Sequence, residues 1–223
     1  LPGDKIPDAI AVLDPKKPGC PYPFKELSGC GIGFKLAQAL AAVWQWPEEK
    51  LTVLLDLLVV SIASDIVPIT GENRILASLG LKVLNESPRQ GLRSLLESSQ
   101  MKKELTISDI VFIIGPRINA AGRLDHATEA VKLLISGESI HSQEKAGVLN
   151  HHNTERKELD KMITMEALNM IANDTVLQNS KTTVVFSDQW HKGVIGIVAS
   201  RLIETYYRPT IVLTESEGMV TGS

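Results

Sequence analysis

The spacing of hydrophobic and polar residues predicts that most of the chain is helical. Apolar residues recur every three or four positions in several segments, which is typical of amphipathic helices. Such helices are predicted over residues 72–84, 90–98, 108–114 and 127–135, and another follows the glycine-rich residues 28–33 and ends near Trp46. Ser108 is the predicted N-cap of the helix over 108–114.

Residues 47–60 combine a proline and two acids with an almost uninterrupted apolar run. Proline suits the first turn of a helix, and acids suit the positive end of its dipole. These residues therefore predict one buried helix. Ahead of it, the apolar residues 9–13 predict a short strand that ends at Asp14.

Residues 142–172 have one helical pattern without proline, rich in Glu, Lys, Asn and Met. Some 30 residues would form a helix about 45 Å long, and this length predicts a connector between two domains. After it, residues 182–186 and 209–213 predict β-strands on either side of a helix over 193–205. This alternation predicts the beginning of an α/β domain.

The composition narrows the classes of protein to which the chain can belong. Aromatic residues make up 4% of its 223 residues, which argues against a base-stacking platform for nucleic acid. The net charge is −3, so a nucleic-acid contact would need a local basic surface. No apolar run reaches the roughly 20 residues that a membrane-spanning helix needs. Cys20 and Cys30 lack CxxC spacing and predict free thiols in a reducing, cytoplasmic setting.

The segment Gly115–Arg123, Gly-Pro-Arg-Ile-Asn-Ala-Ala-Gly-Arg, is the strongest candidate for chemistry. Small residues let a backbone approach a ligand closely. Arg117 and Arg123 offer planar forks of donors that match phosphate oxygens, and Asn119 adds an amide donor and acceptor. The segment therefore predicts a phosphate-binding surface, and the alternative is a helix junction with solvated arginines.

Asp65 is the candidate carboxylate. It stands where the buried helix over 47–60 stops, so it can face a cleft while the helix anchors it. One carboxylate alone does not hold a hard divalent ion, which takes several oxygen ligands. The alternative is that Asp65 or Ser64 caps the next turn.

Residues 190–196 predict a strand-to-helix turn that can bind an anion through backbone N–H groups and the helix dipole. Gly193 and Gly196, together with the helix start, place these N–H groups at the turn, and His191 and Lys192 add donors or charge. Ser200 and Arg201 lie about two turns along the same helix and are predicted to project towards the same ligand. An ordinary turn with an incidental histidine is the alternative.

Two further patterns are not interpreted as sites. Gly29, Gly31 and Gly33 are spaced GxGxG rather than GxGxxG, and no strand leads into them, which favours close helix packing. His151 and His152 are adjacent, so on a helix they point about 100° apart. Solvated positions are favoured over a metal-binding pair.

Five stretches together resemble the RecJ family of single-strand-specific exonucleases, part of the DHH phosphoesterase superfamily. They are residues 21–31, 64–74, 115–124, 190–202 and 207–213, in the family's order and spacing. The resemblance implies an α/β protein in which residues 1–136 are the helix-rich C-terminal part of a DHH catalytic domain. Residues 137–173 would be a connector helix, and residues 174–223 the truncated N-terminal part of a DHH-associated, substrate-binding domain. The start at Leu1, without methionine, agrees with our expectation that the chain is a piece of a longer protein.

The resemblance also implies a metal-dependent exonuclease that hydrolyses single-stranded DNA from the 5′ end in repair and recombination. Asp65 matches a ligand of two manganese or magnesium ions, whose other ligands belong to family motifs outside this sequence, so we expect the chain alone to be inactive. The substrate-binding residues implied are Arg117, Asn119, Arg123, His191, Gly193, Ser200 and Arg201. Single-stranded DNA is the implied substrate, with single-strand-binding protein and a helicase as further partners.

Two alternatives stay open. The first is another DHH-type phosphoesterase, acting on short oligoribonucleotides or cyclic dinucleotides. The second is a non-catalytic interaction protein that keeps the fold without the metal site. The Gly115–Arg123 segment and the long connector favour the RecJ family.

Overall fold

The computed structural model of the chain describes residues 6–65, 67–101, 103–124, 127–137 and 139–223. The chain divides into two compact units. The first comprises Leu1–Ile118 and Val131–Gly147, and the second comprises Asn119–Ala130 and Val148–Ser223. Each unit is described by itself.

The described residues form a helix-rich α/β fold, as the sequence predicted. The helices are α1 (Gly29–Trp44), α2 (Glu49–Thr52), α3 (Leu55–Ser64), α4 (Gly71–Glu86), α5 (Gln90–Ser98), α6 (Ile107–Asp109), α7 (Gly115–Arg123), α8 (Ala127–Ile135), α9 (Ser139–Asn173), α10 (Thr175–Asn179) and α11 (Ile195–Tyr206). A π-helical segment, Ile110–Ile114, joins α6 to α7, and the strands are β1 (Thr183–Phe186), β2 (Thr210–Ser216) and β3 (Met219–Gly222). No helix in the described ranges is both long and apolar enough to cross a membrane.

The first unit is built around α3. Leu58, Val59 and Ile62 of this helix are fully buried, which agrees with the apolar pattern of residues 47–60. The neighbouring α4 packs directly along α3. Gly80 permits this approach, because a Cβ atom at that position would lie 2.4 Å from the carbonyl oxygen of Leu55.

The prediction of one continuous helix over 47–60 is wrong, because a turn that includes Val53 separates α2 from α3. In a continuous helix the Leu57 N–H would donate to the Val53 carbonyl, but here it donates to Asp56 Oδ1 at 2.7 Å. The Val53 carbonyl instead accepts a hydrogen bond from Arg89 Nη2 at 2.9 Å. Contacts from a distant residue therefore break the helix.

Asp56 and Arg89 form a buried ion pair that ties α5 to α3. The Asp56 residue is 1% exposed. Its carboxylate accepts hydrogen bonds from Arg89 Nη2 at 2.8 Å and from the Arg89 backbone N–H at 3.0 Å. The same guanidinium donates to the carbonyl of Leu134 in α8 at 3.4 Å. One side chain thus links three elements of the first unit.

Two local predictions in the first unit need correction. Residues 9–13 do not form a strand, since the strands of the described residues pair with one another and leave this segment without a ladder partner. Thr106, rather than Ser108, is the N-cap, because Thr106 and Asp109 form a reciprocal capping box. The Thr106 hydroxyl and backbone hydrogen bonds, with help from Lys103, lower the pKa of Asp109 to about 2.

The second unit contains the predicted β-α-β arrangement. Strand β1 pairs in parallel with β2, with Val185 opposite Val212. Strand β3 pairs antiparallel with β2, and the sequence pattern did not predict it. One core unites the long helix, the sheet and α11, through Ile163, Ala167 and Ile171 of α9 and Val198 and Leu202 of α11, which surround Val212. The helix α9 is 35 residues long and covers the whole of the predicted connector pattern.

Asp56→Ala is expected to lower the free energy of unfolding by about 3–5 kcal/mol, since it leaves the Arg89 charge without its buried partner. Urea unfolding followed by circular dichroism measures the loss. Glu86→Ala is the control, because Glu86 pairs with Lys82 at 4.0 Å and both side chains are well exposed. Its cost should stay below about 1 kcal/mol. Similar losses in the two variants would contradict a structural role for the buried pair.

Candidate functional site

Asp65 ends α3 as its C-cap and is exposed. Its carboxylate oxygen Oδ2 accepts a hydrogen bond from the Ser61 hydroxyl at 3.1 Å. The Ser61 hydroxyl also lies 3.1 Å from the hydroxyl of Ser28, the N-cap of α1. Although Cys30 is exposed, partial desolvation of its thiol and the nearby Asp65 carboxylate raise the pKa of Cys30. Asp65 is therefore a fixed carboxylate at the surface of the first unit.

The beginning of the glycine–arginine segment lies against the same end of α3. A Cβ atom at Gly115 would lie 2.7 Å from the Ser64 hydroxyl oxygen, so any larger residue would displace that side chain. Arg117 is half-buried and donates from Nη1 to the Ile113 carbonyl at 2.8 Å. Burial lowers the pKa of Arg117, and its guanidinium stays charged at neutral pH. The first unit thus brings Asp65 and the start of α7 together.

The described residues do not complete a metal site. They contain no group of three or more His, Cys, Asp or Glu side chains placed to hold an ion. Asp65 fits the chemistry of a single carboxylate ligand, while divalent ions of this kind take several oxygen or imidazole ligands.

In the second unit, the end of α7 packs against the turn before α11. Arg123 Nη1 donates to the Gly193 carbonyl at 3.0 Å. In the opposite direction, a Cβ atom at Gly193 would lie 2.1 Å from the Arg123 carbonyl oxygen. The two backbones are therefore in direct contact, which only glycine allows at position 193.

The turn before α11 is held from both sides. Trp190 is buried, and its indole N–H donates to Glu166 Oε2 of α9 at 2.8 Å. The Trp190 carbonyl accepts a hydrogen bond from the buried Thr214 hydroxyl at 2.6 Å. His191 Nδ1 accepts from the Gly193 N–H at 3.1 Å. This hydrogen bond assigns the proton of a neutral His191 to Nε2 and leaves that N–H as a donor.

A cleft of about 360 Å³, here called the α11 cleft, lies beside this turn. Its lining includes Gly122, Arg123, Lys192, Gly193, Gly196 and Ser223. The cleft combines two positive side chains with the N-terminus of α11, where unpaired N–H groups and the helix dipole favour an anion. Its volume falls in the usual range for small-ligand sites. Its chemistry suits a phosphate group.

Five predicted substrate residues, Arg117, Asn119, His191, Ser200 and Arg201, are not among the residues that line the α11 cleft. Ser200 is exposed and donates its hydroxyl to the Gly196 carbonyl at 3.1 Å. Arg201 is held by Asp160 of α9, with 2.7 Å between Nη2 and Oδ2. Asn119 is exposed on α7. Whether these residues contact a substrate stays a prediction.

The contribution of α9 to this region was not predicted from the sequence. Asp160 and Arg156 lie four residues apart, on one face of the helix, and Glu166 holds the turn before α11. The interpretation of the segment as a connector left its individual charges unassigned. The arginine–aspartate spacing on a helix whose other face is apolar is the signal that could have indicated them.

The two patterns not interpreted as sites are both helical. Gly29 and Gly33 face open space, with no atom within 4 Å of a Cβ at either position, so close packing does not explain them. The rings of His151 and His152 lie 6.2 Å apart on α9. The His152 side chain is 13% exposed, which corrects the prediction that both histidines are solvated.

Gly193→Ala is expected to destabilise the second unit by about 1–3 kcal/mol, because the added methyl group collides with the Arg123 carbonyl. Thermal unfolding measures the change. Gly122→Ala is the matched control, since nothing lies within 4 Å of a Cβ at that helical position. It should be neutral or stabilising by up to about 1 kcal/mol. A tolerated alanine at position 193 would refute the close backbone contact.

No family model matches the chain. Single-stranded-DNA-specific exonuclease RecJ of Bacillus subtilis (strain 168) is 41% identical over 225 residues, which cover 100% of this chain and 28% of the relative. The protein of the same name from Escherichia coli (strain K12) is 35% identical over 240 residues, covering 100% of this chain and 41% of the relative.

Solved structures of RecJ are also similar to this chain. The crystal structure of RecJ in complex with Mn²⁺ from Thermus thermophilus superposes with a TM-score of 0.83 at 31% identity, over 96% of this chain and 31% of that one. A structure of RecJ from the same source in complex with Mg²⁺ gives a TM-score of 0.77. The chain spans 28% and 41% of the length of the two curated relatives described above. The chain is therefore similar along its whole length, in sequence and in fold, to part of the RecJ proteins.

Proposed function

We propose that the chain is part of a metal-dependent exonuclease that hydrolyses single-stranded DNA in the 5′-to-3′ direction during repair and recombination. The α11 cleft supports this proposal most directly, because Arg123, Lys192 and a helix N-terminus converge on a space that suits a phosphate. The relatives are named single-stranded-DNA-specific exonucleases. A phosphodiester substrate would explain both the positive cleft and the activity for which the relatives are named.

The residues of the second unit would bind and orient the strand. The Gly193 carbonyl occupies one donor of Arg123 and leaves the rest of its fork for phosphate oxygens. Lys192 adds a point charge, and His191 Nε2–H is a further donor. We also propose that Arg117, Asn119, Ser200 and Arg201 contact the substrate. Such contacts supply orientation, while the bond cleavage needs further groups.

Asp65 would serve as one ligand of the hydrolytic metal site. The solved relatives contain Mn²⁺ or Mg²⁺. When bound, such ions lower the pKa of a coordinated water and so provide the nucleophile for hydrolysis. The hydrogen bond from Ser61 fixes the Asp65 carboxylate at the surface, where a ligand must present its oxygens.

We further propose a domain assignment and a cellular context. Residues 1–136 would belong to the DHH catalytic domain, 137–173 to the connector, and 174–223 to the DHH-associated domain. The protein would act in the cytoplasm, with single-strand-binding protein and a helicase as partners.

The full-length protein that carries this sequence is expected to release nucleotides from the 5′ end of a 5′-phosphorylated single strand in Mn²⁺ or Mg²⁺. Gel analysis of 5′- and 3′-labelled strands gives the direction, and a blunt duplex is the control for strand specificity. The 223-residue chain alone should show no activity. Preferential cleavage of dinucleotides would favour another DHH-type phosphoesterase, and no cleavage of any of these substrates would favour a non-catalytic protein.

Asp65→Ala in the full-length protein should lower turnover by about a thousandfold or more, because a metal site contributes several kcal/mol to transition-state stabilisation. Folding should be nearly unchanged, since the side chain is exposed. Asp8→Ala, at another exposed aspartate of the first unit, is the control. Activity of Asp65→Ala within about threefold of the unsubstituted enzyme would rule out the metal-ligand role.

A further inference from the structure

Arg156 occupies the face of α9 that turns towards α11. It lies four residues before Asp160, so both side chains extend from the same side of the helix. Asp160 is 1% exposed and holds Arg201 of α11 at 2.7 Å between Oδ2 and Nη2. Arg156 and Arg201 therefore both lie beside a single buried carboxylate.

The guanidinium of Arg156 has few partners of its own. Its Nη2 donates to Asn153 Oδ1 at 3.3 Å, which is long for a hydrogen bond. Its Nε is inaccessible to solvent and has no hydrogen-bond partner within the described ranges. An arginine carries five N–H donors and no acceptor, so the terminal nitrogens of Arg156 keep donors for a ligand rich in acceptor oxygens.

The charges around Arg156 also indicate an anionic ligand. Burial lowers the pKa of Arg156; Asp160 opposes this shift, and the positive charges of Arg123 and Arg201 add to it. Arg156 thus interacts with two further guanidiniums and with one carboxylate. Their mutual repulsion is unfavourable in a partly desolvated place, and a bound anion would relieve it.

We propose that Arg156 is a substrate-binding residue that contacts a backbone phosphate of single-stranded DNA together with Arg201. Asp160 is the positioning residue that holds Arg201 for this contact. The inference rests on the proposed function and extends the substrate surface beyond the α11 cleft onto the long helix. Arg123 lines that cleft and also interacts electrostatically with Arg156, so it links the two places.

Binding of a 5′-phosphorylated single strand to the full-length protein tests this inference, with EDTA present to prevent hydrolysis. Fluorescence anisotropy gives the dissociation constant at several salt concentrations for the unsubstituted protein, Arg156→Met and Lys157→Met. Lys157 is the matched control, because it is exposed, carries the same charge and lies next to Arg156 on the same helix. Arg156→Met should weaken binding about tenfold or more. It should also reduce the slope of log affinity against log salt by about 0.7, the loss of one single-strand phosphate contact.

A second measurement separates a direct contact from a purely structural effect. Strands in which one internal phosphate is replaced by a neutral methylphosphonate are bound to the unsubstituted protein and to Arg156→Lys, which keeps the charge and loses the planar fork. At one position, the neutral phosphate should weaken strand binding by the unsubstituted protein strongly and strand binding by the variant much less. The effects of the two changes on the binding free energy are then not additive. This comparison decides the matter even if Arg156→Met does not fold.

The outcomes are distinct. Equal affinity and equal salt slope for Arg156→Met and Lys157→Met would overturn the inference. So would additive effects of Arg156→Lys and of the methylphosphonate on the binding free energy at every phosphate position. Lower thermal stability of Arg156→Met without a change in binding would show that the residue is only structural. Failure of the unsubstituted protein to bind single-stranded DNA would instead overturn the proposed function.

Discussion

The contact between Arg123 and Gly193 determines how the α11 cleft is built. The Arg123 carbonyl lies where a side chain at position 193 would begin, so the end of α7 and the turn before α11 meet backbone to backbone. The Arg123 side chain then closes the contact by donating to the Gly193 carbonyl at 3.0 Å. Because α11 starts two residues later, this arrangement places a guanidinium beside the positive end of the helix dipole.

Two like-signed groups placed together in this way are unfavourable without an anion. Trp190 is held by Glu166 and Thr214, and His191 accepts from the Gly193 N–H. Lys192 lies 3.4 Å from the Glu217 carboxylate, which offsets part of its charge. Since the turn is held by its own backbone and by α9, the Arg123 guanidinium and the positive end of the α11 dipole stay available for a ligand.

The sequence predicted best the elements whose formation depends on their own residues. Helix α5 (Gln90–Ser98) and helix α8 (Ala127–Ile135) have the predicted bounds, because their apolar positions follow the helical period closely. The hydrophobic pattern failed where contacts with a distant residue accompany a break in the local structure. The turn at Val53 depends on Arg89, more than thirty residues away, and no local periodicity contains that information.

The candidate site was predictable to a similar degree. The small residues predicted a close approach to a ligand, whereas the structure shows Gly115 and Gly193 in close contact with other parts of the chain, since a Cβ atom at either position would lie within 3 Å of a neighbouring atom. Asp160 was not marked, because an aspartate on a long polar helix looks solvated until the arginine of α11 is brought against it. Long-range ion pairs have no sequence period, so only the fold reveals them.

The helix α9 therefore is not only a connector but also part of the core of the second unit. Ile163, Ala167 and Ile171 bury one of its faces in the core of the second unit, and this burial fixes the rotation of the helix about its axis. Once that rotation is fixed, Asp160 and Glu166 must meet α11 and the turn before it, since their positions on the helix are set by the same period. The apolar face that stabilises the unit thus also sets the direction of its charged side chains, so a change in that packing would shift Asp160 and Glu166 relative to α11 and the turn before it.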